Sequence, residues 1–327
     1  MPKTTYISWA PYCSRSDNTA RELRGTSHMV YRGSFGSRAA TVWLKYLAQA
    51  ADTFRILGAE RPDAVFVMSP PVFAVMTVWL WSRLHHVPYV VDAHTAAFLH
   101  PRWKYFQSLH NALCRRAATT IVTNEYLAER MRSAGAHATI VRDVPVEYPV
   151  TTTFQPEGAF TVAVVCSFNY DEPIADMLRA AARLADVHFY MTGDPAHLDQ
   201  SLAASIPANV TLTGFLSDDA YGSLLTRADA VMTLTTRDHT MLRGAYEAIY
   251  QGTPVIVSDW ALLREAFSQG AVHVDNTADA IAAAVCRMRL HHASYKAGAL
   301  ALRQEKLAAW EMAKASLLDR VDSGLHH

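Results

Sequence analysis

The 327-residue chain predicts an α/β fold made of two doubly wound domains. Three observations predict it. Short runs rich in Val, Ile and aromatics alternate with helix-length segments. Several runs are apolar throughout, as strands covered on both faces of a parallel sheet should be. The two halves also echo each other. A single offset of 166 places Asp63 on Asp229, Pro88 on Pro254 and Val91 on Val257.

The strand-like runs are Tyr6–Trp9, Ala64–Met68, Tyr89–Val91, Thr119–Val122, Phe160–Val165, Val187–Met191, Ala230–Leu234, Val255–Val257 and Val272–Val274. Between them, helices are expected at Ser37–Leu57, Val72–His85, Trp103–Ala117, Asp176–Leu184 and Thr240–Gln251. DVPVEYPVTTTFQPEG at 143–158 breaks the rhythm with Pro, Gly and consecutive threonines, as a linker does. The expected division is a first domain over 1–148, a linker over 149–158, a second domain over 159–296, and a closing helix and tail over 297–327. Leu300, Leu307, Trp310 and Leu317 would form the apolar stripe of that helix. Ligands of such sheets bind beyond the carboxyl ends of the strands, so two facing domains would place those loops along a cleft.

Half of the residues are apolar and 18% are charged, which excludes widespread disorder. Thirty basic and thirty acidic side chains cancel, yet residues 1–150 carry seventeen basic against ten acidic, and the remainder the reverse excess. The basic half could face a membrane surface, nucleic acid or a phosphorylated substrate. Equally, the two halves could be solvated faces that neutralise each other. Cys13, Cys114, Cys166 and Cys286 have no CxxC spacing, so reduced thiols in a cytosolic protein are expected. MPKTTYISWAPYC does not read as a signal peptide, and Val72 to Leu84 is shorter than the ~20 residues of a bilayer span. Fifteen histidines show no metal-ligand spacing, so no metal is expected; GxGxxG, P-loop and GxSxG motifs are absent.

The densest chemistry lies in TTRDHTMLRGAYEAIYQGTPVIVSDW, 235–260. Thr236, Asp238 or Thr240 could cap a helix whose free amides suit a phosphate. Arg243 and Glu247, four apart, share one face; Arg243 could neutralise a diphosphate and Glu247 accept hydrogen bonds from a ribose diol. The plainer alternative is an exposed ion pair worth ~0.3–0.5 kcal/mol.

NVTLTGFLSDDAYGSLLTRADAVMTL and YEAIYQGTPVIVSD resemble the C-terminal domain of GT-B glycosyltransferases, especially family 4. PDAVFVMSPP, VPYVVDAHTAAF and RRAATTIVTNEYLAERMRSAGA resemble that family's N-terminal domain. The resemblance implies two Rossmann-like domains and sugar transfer from a nucleotide diphosphate donor to a hydroxyl acceptor. It further implies retention of configuration, no metal or other cofactor, and a glycan or lipid-linked acceptor, as in surface polysaccharide or glycolipid synthesis. Nucleic acid is not expected as a partner.

The resemblance also implies residue roles. Glu247 matches the second Glu of the E-x7-E motif, which holds the ribose. The first Glu falls at His239, between Asp238 and Thr240, a departure that bears on the donor sugar. Arg243, Gly244 and Thr240 belong to the same donor-binding segment. The Gly-Arg and Lys that usually bind diphosphate after the domain's first strand are replaced by VCSFNYDEP, 165–173. There Ser167 and Asn169 could supply neutral donors, and Asp171 and Glu172 would start the next helix. Phe215 matches the base-contacting loop and Gly193 the Gly-Asp turn, though either could be only a turn. In the first domain His94, at a strand end, is the catalytic candidate. Arg15 and Ser16 follow the first strand and are assigned to acceptor or phosphate contact, with a plain helix cap as the alternative.

Trp79, Trp81 and Arg83, then Arg102, Trp103, Lys104 and Tyr105, interleave aromatic with basic side chains. With the basic charge of the first half they suggest peripheral contact with the inner face of the cell membrane; a core helix and a solvated loop would read the same. Two rivals to transfer remain: a nucleotide-sugar epimerase on the same fold, and a non-catalytic nucleotide-sugar binder.

Overall fold

The computed structural model describes residues 2–33, 41–149, 153–238 and 240–325. His239 and the first four residues of the helix expected from Ser37 lie outside the described residues. Among the described residues, twelve strands form two wholly parallel six-stranded sheets. The first contains β1 (Thr4–Ser8), β2 (Thr26–Met29), β3 (Ala64–Ser69), β4 (Tyr89–Ala93), β5 (Thr119–Val122) and β6 (Ala138–Ile140), ordered β2-β1-β3-β4-β5-β6. The second contains β7 (Thr161–Val164), β8 (His188–Thr192), β9 (Val210–Gly214), β10 (Ala230–Thr233), β11 (Val255–Ser258) and β12 (Ala271–Val274), ordered β12-β11-β10-β7-β8-β9. Helices cover the sheets, so the inner strands are buried on both faces and their sequences are apolar throughout.

The chain divides into two compact units. One comprises residues 1–144 with 309–327, the other residues 145–308. The segment expected as a linker is therefore partly packed: Val144 belongs to the first core and Val146 is buried too. Gln251 Nε2 donates to the Val146 carbonyl at 2.7 Å. The last helix, His292–Leu325, is longer than expected and contributes to both units. In the second unit it buries Ala299 and Leu302, while Leu300 points outward; in the first it buries Trp310, Leu317 and Val321.

The offset of 166 is a structural repeat. In the first sheet Val65 pairs with Tyr89 and Val67 with Val91; in the second Val231 pairs with Val255 and Thr233 with Val257. The two aspartates do the same work. Asp63 Oδ2 accepts the Lys3 N–H at 2.7 Å, and the Asp63 N–H returns to the Lys3 carbonyl at 2.8 Å. Asp229 Oδ2 accepts both the N–H and the hydroxyl of Thr161 at 2.8 Å, and its N–H returns to the Thr161 carbonyl at 3.1 Å. Pro88 and Pro254 offer their carbonyls to Val65 and Val231.

Each aspartate thus ties the entry of one central strand to its neighbour. Replacing Asp229 by Ala removes two hydrogen bonds to a partly buried carboxylate. We expect Asp229→Ala to lower unfolding free energy by about 2–4 kcal/mol in urea titration, and Asp63→Ala, nearer solvent, by less.

Candidate functional site

Parallel strands all finish on one edge of their sheet. In the second unit the chain runs outward from β7 to β8 and β9, then returns to place β10 on the other side of β7. β7 and β10 are neighbours at this switch, beside which ligands of such sheets bind. The loop after β10 is fastened to the loop after β7: Thr236 donates through its N–H at 2.7 Å and its hydroxyl at 3.1 Å to the Asp171 carbonyl. Arg237 donates to the Tyr170 hydroxyl at 3.0 Å. Gly193, just past β8, has φ +96°, and a Cβ there would lie 2.6 Å from the Cys166 carbonyl oxygen. It is needed for that close approach.

The helix of the densest segment runs from Arg243 to Tyr250. It starts three residues later than expected, with Leu242 as its cap residue and no side-chain cap bond. Thr236 is bonded into the neighbouring loop instead. Asp238 and Thr240 also precede the helix, Asp238 being exposed. Gly244 lets this helix start against β7's exit, because a Cβ would meet the Val165 side chain at 2.7 Å. Ala245, Tyr246 and Ile249 anchor the helix in the core.

Arg243 and Glu247 form more than an exposed ion pair. Glu247 is only 7% exposed. Its Oε1 accepts from Arg243 Nε at 2.8 Å, and its Oε2 from the Tyr221 hydroxyl at 2.7 Å. Burial, then the negative charge of Glu247, pushes the Tyr221 phenol well above its ordinary pKa, so it remains a donor. Each carboxylate oxygen keeps acceptor capacity for one further donor. No spacing rule connects Tyr221 to Glu247, 26 residues further on, so the sequence does not reveal this partner.

The expected neutral donors behave differently. Ser167 and Asn169 are exposed, and their backbone N–H groups point at the carboxylate of Glu172. Asp171 and Glu172 do not start the next helix, which begins at Ile174. Phe215, just past β9, is 90% exposed.

In the first unit the exit of β4 carries a buried charged cluster. Asp92 Oδ2 accepts from Arg15 Nε at 3.1 Å and from the Tyr6 hydroxyl. Arg15 also donates to the Val141 carbonyl at 2.9 Å and lies 3.8 Å from Asp143. Burial alone would raise the Asp92 carboxyl; Arg15, then His94 and Tyr6, overcome it and hold it well below the usual range. His94 Nε2 lies 3.6 Å from Asp92, its ring partly accessible at the start of a short helix, Thr95–Leu99. The acceptor assignments in this region change. Arg15 is committed to Asp92 and is mostly buried, and Ser16 is fully buried, its hydroxyl accepting from Ser8 at 2.7 Å. Sequence alone could not join Asp92 to Tyr6 and Arg15, which lie 86 and 77 positions before it. Among the described residues, no group of three His, Cys, Asp or Glu side chains is placed to hold a metal.

Two parallel α/β units, the second with a buried charged helix face at its switch point, define a GT-B architecture. Residues 12–147 match the family description "Glycosyl transferase 4-like domain", and residues 159–290 match "Glycosyl transferases group 1". The chain belongs to these family 4-like GT-B glycosyltransferases. Among solved structures, sucrose-phosphate synthase from Thermosynechococcus elongatus superimposes with TM-score 0.70 at 13% identity, covering 97% of this chain and 98% of that one. Anabaena Alr3699/HepE in complex with UDP-glucose gives 0.69 at 13%, covering 98% and 100%. A Listeria monocytogenes protein described as a UDP-N-acetylglucosamine 2-epimerase gives 0.60 at 14%, covering 91% and 90%. At such identities the likeness shows the fold alone. No curated protein sequence matches the chain significantly.

Asp92→Asn should leave buried Arg15 with only the more distant carboxylate of Asp143, 3.8 Å away, and cost up to about 3–5 kcal/mol of stability near neutral pH. A carboxyl with a depressed folded pKa contributes stability that is fully present above its unfolded value of ~3.9 and is lost progressively as pH falls from there towards the depressed folded value. The gap in urea midpoint between wild type and Asp92→Asn should therefore be smaller at pH 3 than at pH 7, without closing.

Proposed function

We propose that the protein transfers a sugar from a nucleotide diphosphate donor held in its second unit to a hydroxyl acceptor. The observation that carries this reading is Glu247, a buried carboxylate with capacity for a diol, pinned between Arg243 and Tyr221 at the switch of a parallel sheet. Arg243 neutralises diphosphate charge. Asp238, Thr240, Gly244 and His239, which lies outside the described residues, flank the donor, with Gly193 and Phe215 towards the sugar and base. His94 is the first unit's group for the reacting centre. Its neighbour Asp92 favours a ring N–H on the buried Nε2 side. In our reading the reaction retains configuration and uses no metal; the leaving diphosphate is stabilised electrostatically and takes up the acceptor's proton. The acceptor is a glycan or lipid-linked glycan, in surface polysaccharide or glycolipid synthesis. The likeness to an epimerase keeps epimerisation as the second reading. Incubation with a panel of nucleotide sugars separates them: free nucleoside diphosphate that requires an acceptor means transfer, and an altered nucleotide sugar means epimerisation.

Losing a charged hydrogen-bonding partner of about 1.5–3 kcal/mol should weaken nucleotide binding by Glu247→Ala about ten- to hundredfold. Arg243→Ala should reduce nucleoside diphosphate binding more than nucleoside binding. Equal losses in calorimetric titration would make Arg243 a structural partner of Glu247.

We further propose that the first unit touches an anionic membrane at the cytoplasmic face. Trp81 is buried and so does not contribute. Exposed apolar side chains on two neighbouring helices are Met76, Leu80 and Leu84 on the helix Val72–His85 and Trp43 and Leu47 on the helix Val42–Glu60 packed beside it. Lys45 and Arg83 accompany them, and Arg102, Lys104 and Tyr105 are exposed nearby in sequence. No helix among the described residues is long and apolar enough to cross a membrane. The whole chain should sediment with anionic vesicles at low salt and release as salt rises, and Leu80→Glu should abolish sedimentation.

A further inference from the structure

The loop after β7 is an amide nest that already holds an anion. Phe168 has φ +56°, in the left-handed region. This turn brings the N–H groups of Ser167 and Asn169 to one side, the geometry that binds phosphate and other anions. Glu172 fills the nest: the Ser167 N–H lies 3.0 Å from both carboxylate oxygens, and the Asn169 N–H donates to Oε2 at 2.9 Å. No Lys or Arg lies between Val165 and Pro173, so these amides are the loop's main source of positive potential. Arg237, from the facing loop, donates to Tyr170. Burial, then the charge of Asp171, favours the neutral form of Glu172, while the Asn169 and Ser167 amides oppose them; the balance leaves its pKa raised. The carboxylate is therefore a partly desolvated anion kept in place by amides that a ligand could claim.

We propose that Glu172 is a specificity-determining residue that occupies the anion nest in place of a ligand phosphate, so that a phosphate group enters only by displacing it. This rests on the reading of the second unit as the donor site. Any phosphate in the nest must exchange with a resident carboxylate and then endure its repulsion. A phosphate without nucleoside contacts is held weakly, and a donor must gain most of its binding from Glu247, Arg243 and the base. The absence of a cation in this loop and the presence of Glu172 act in the same direction.

Calorimetric titration of the full chain with inorganic pyrophosphate, UDP and uridine tests this. Glu172→Ala should bind pyrophosphate about tenfold more tightly than wild type, a gain of about 1.4 kcal/mol, with uridine affinity unchanged. Glu172→Gln, which keeps a neutral acceptor in the nest, should fall between them. Pyrophosphate affinity unchanged or reduced in both variants, with thermal midpoints like wild type, overturns the proposal. The donor reading fails separately. A protein that gains pyrophosphate affinity on Glu172→Ala yet turns over no nucleotide sugar keeps the nest and loses the donor. One that turns over a nucleotide sugar while its pyrophosphate affinity ignores Glu172 keeps the donor and loses this inference.

Discussion

All strands of a parallel sheet leave it on the same side, and this constraint dictates where the chain can assemble chemistry. Backbone groups within the sheet are consumed by the ladder. Groups in the exit loops are not, and neighbouring exit loops lie close enough to bind one another. In the second unit the loops after β7, β8 and β10 are fastened in this way through Thr236, Asp171, Gly193 and Cys166. The helix carrying Arg243 and Glu247 is seated on the same edge by the contact of Gly244 with Val165. Loosening any of these would move a buried carboxylate whose usefulness depends on its position.

Glu247 shows why burial changes the meaning of a common pattern. An i, i+4 Arg–Glu pair on a surface contributes little. Here the carboxylate is nearly excluded from water and has two donors from different helices, Arg243 and Tyr221. A single partner would leave such a charge undercompensated. The second donor, with a phenol held protonated by burial and by Glu247 itself, lets the pair stay fixed rather than sample solvent.

The fold was legible in the sequence because the inner strands are covered on both faces and read as continuous apolar runs. The three strands that were missed, β2, β6 and β9, all lie at sheet edges, where one side lacks a neighbour and the residues need not be apolar. The pair Arg243 and Glu247 was legible because helical spacing puts them together. The helix start was not: Thr236, Asp238 and Thr240 are all good caps, and only tertiary contacts spent the first of them on Asp171. Asp92, Arg15 and Tyr6 were illegible as a cluster because no local periodicity relates residues 77 and 86 positions apart. Glu172 was misread because an acid before a helix is ordinarily favourable there, whereas here it turns back into the loop.

The repeat separates architecture from chemistry. At the entry ends of the central strands, Asp63 and Asp229, then Pro88 and Pro254, keep the same residues and the same backbone partners. At the exit ends the same offset relates unlike residues. Asp92 corresponds to Ser258 and His94 to Trp260. Asp92 anchors a charged cluster with Arg15 and Tyr6, whereas Ser258 sits in a neutral one, accepting from the Thr235 N–H and donating to Asn276. Trp260 uses its indole N–H to hold the Thr235 carbonyl, while His94 places its ring beside Asp92. A requirement of folding alone would constrain both ends alike, since both are equally part of the sheet. Identity at the entries and divergence at the exits separate what the scaffold repeats from what each unit builds on it: a buried charged cluster at the exit of the first, and loops joined through backbone amides at the exit of the second.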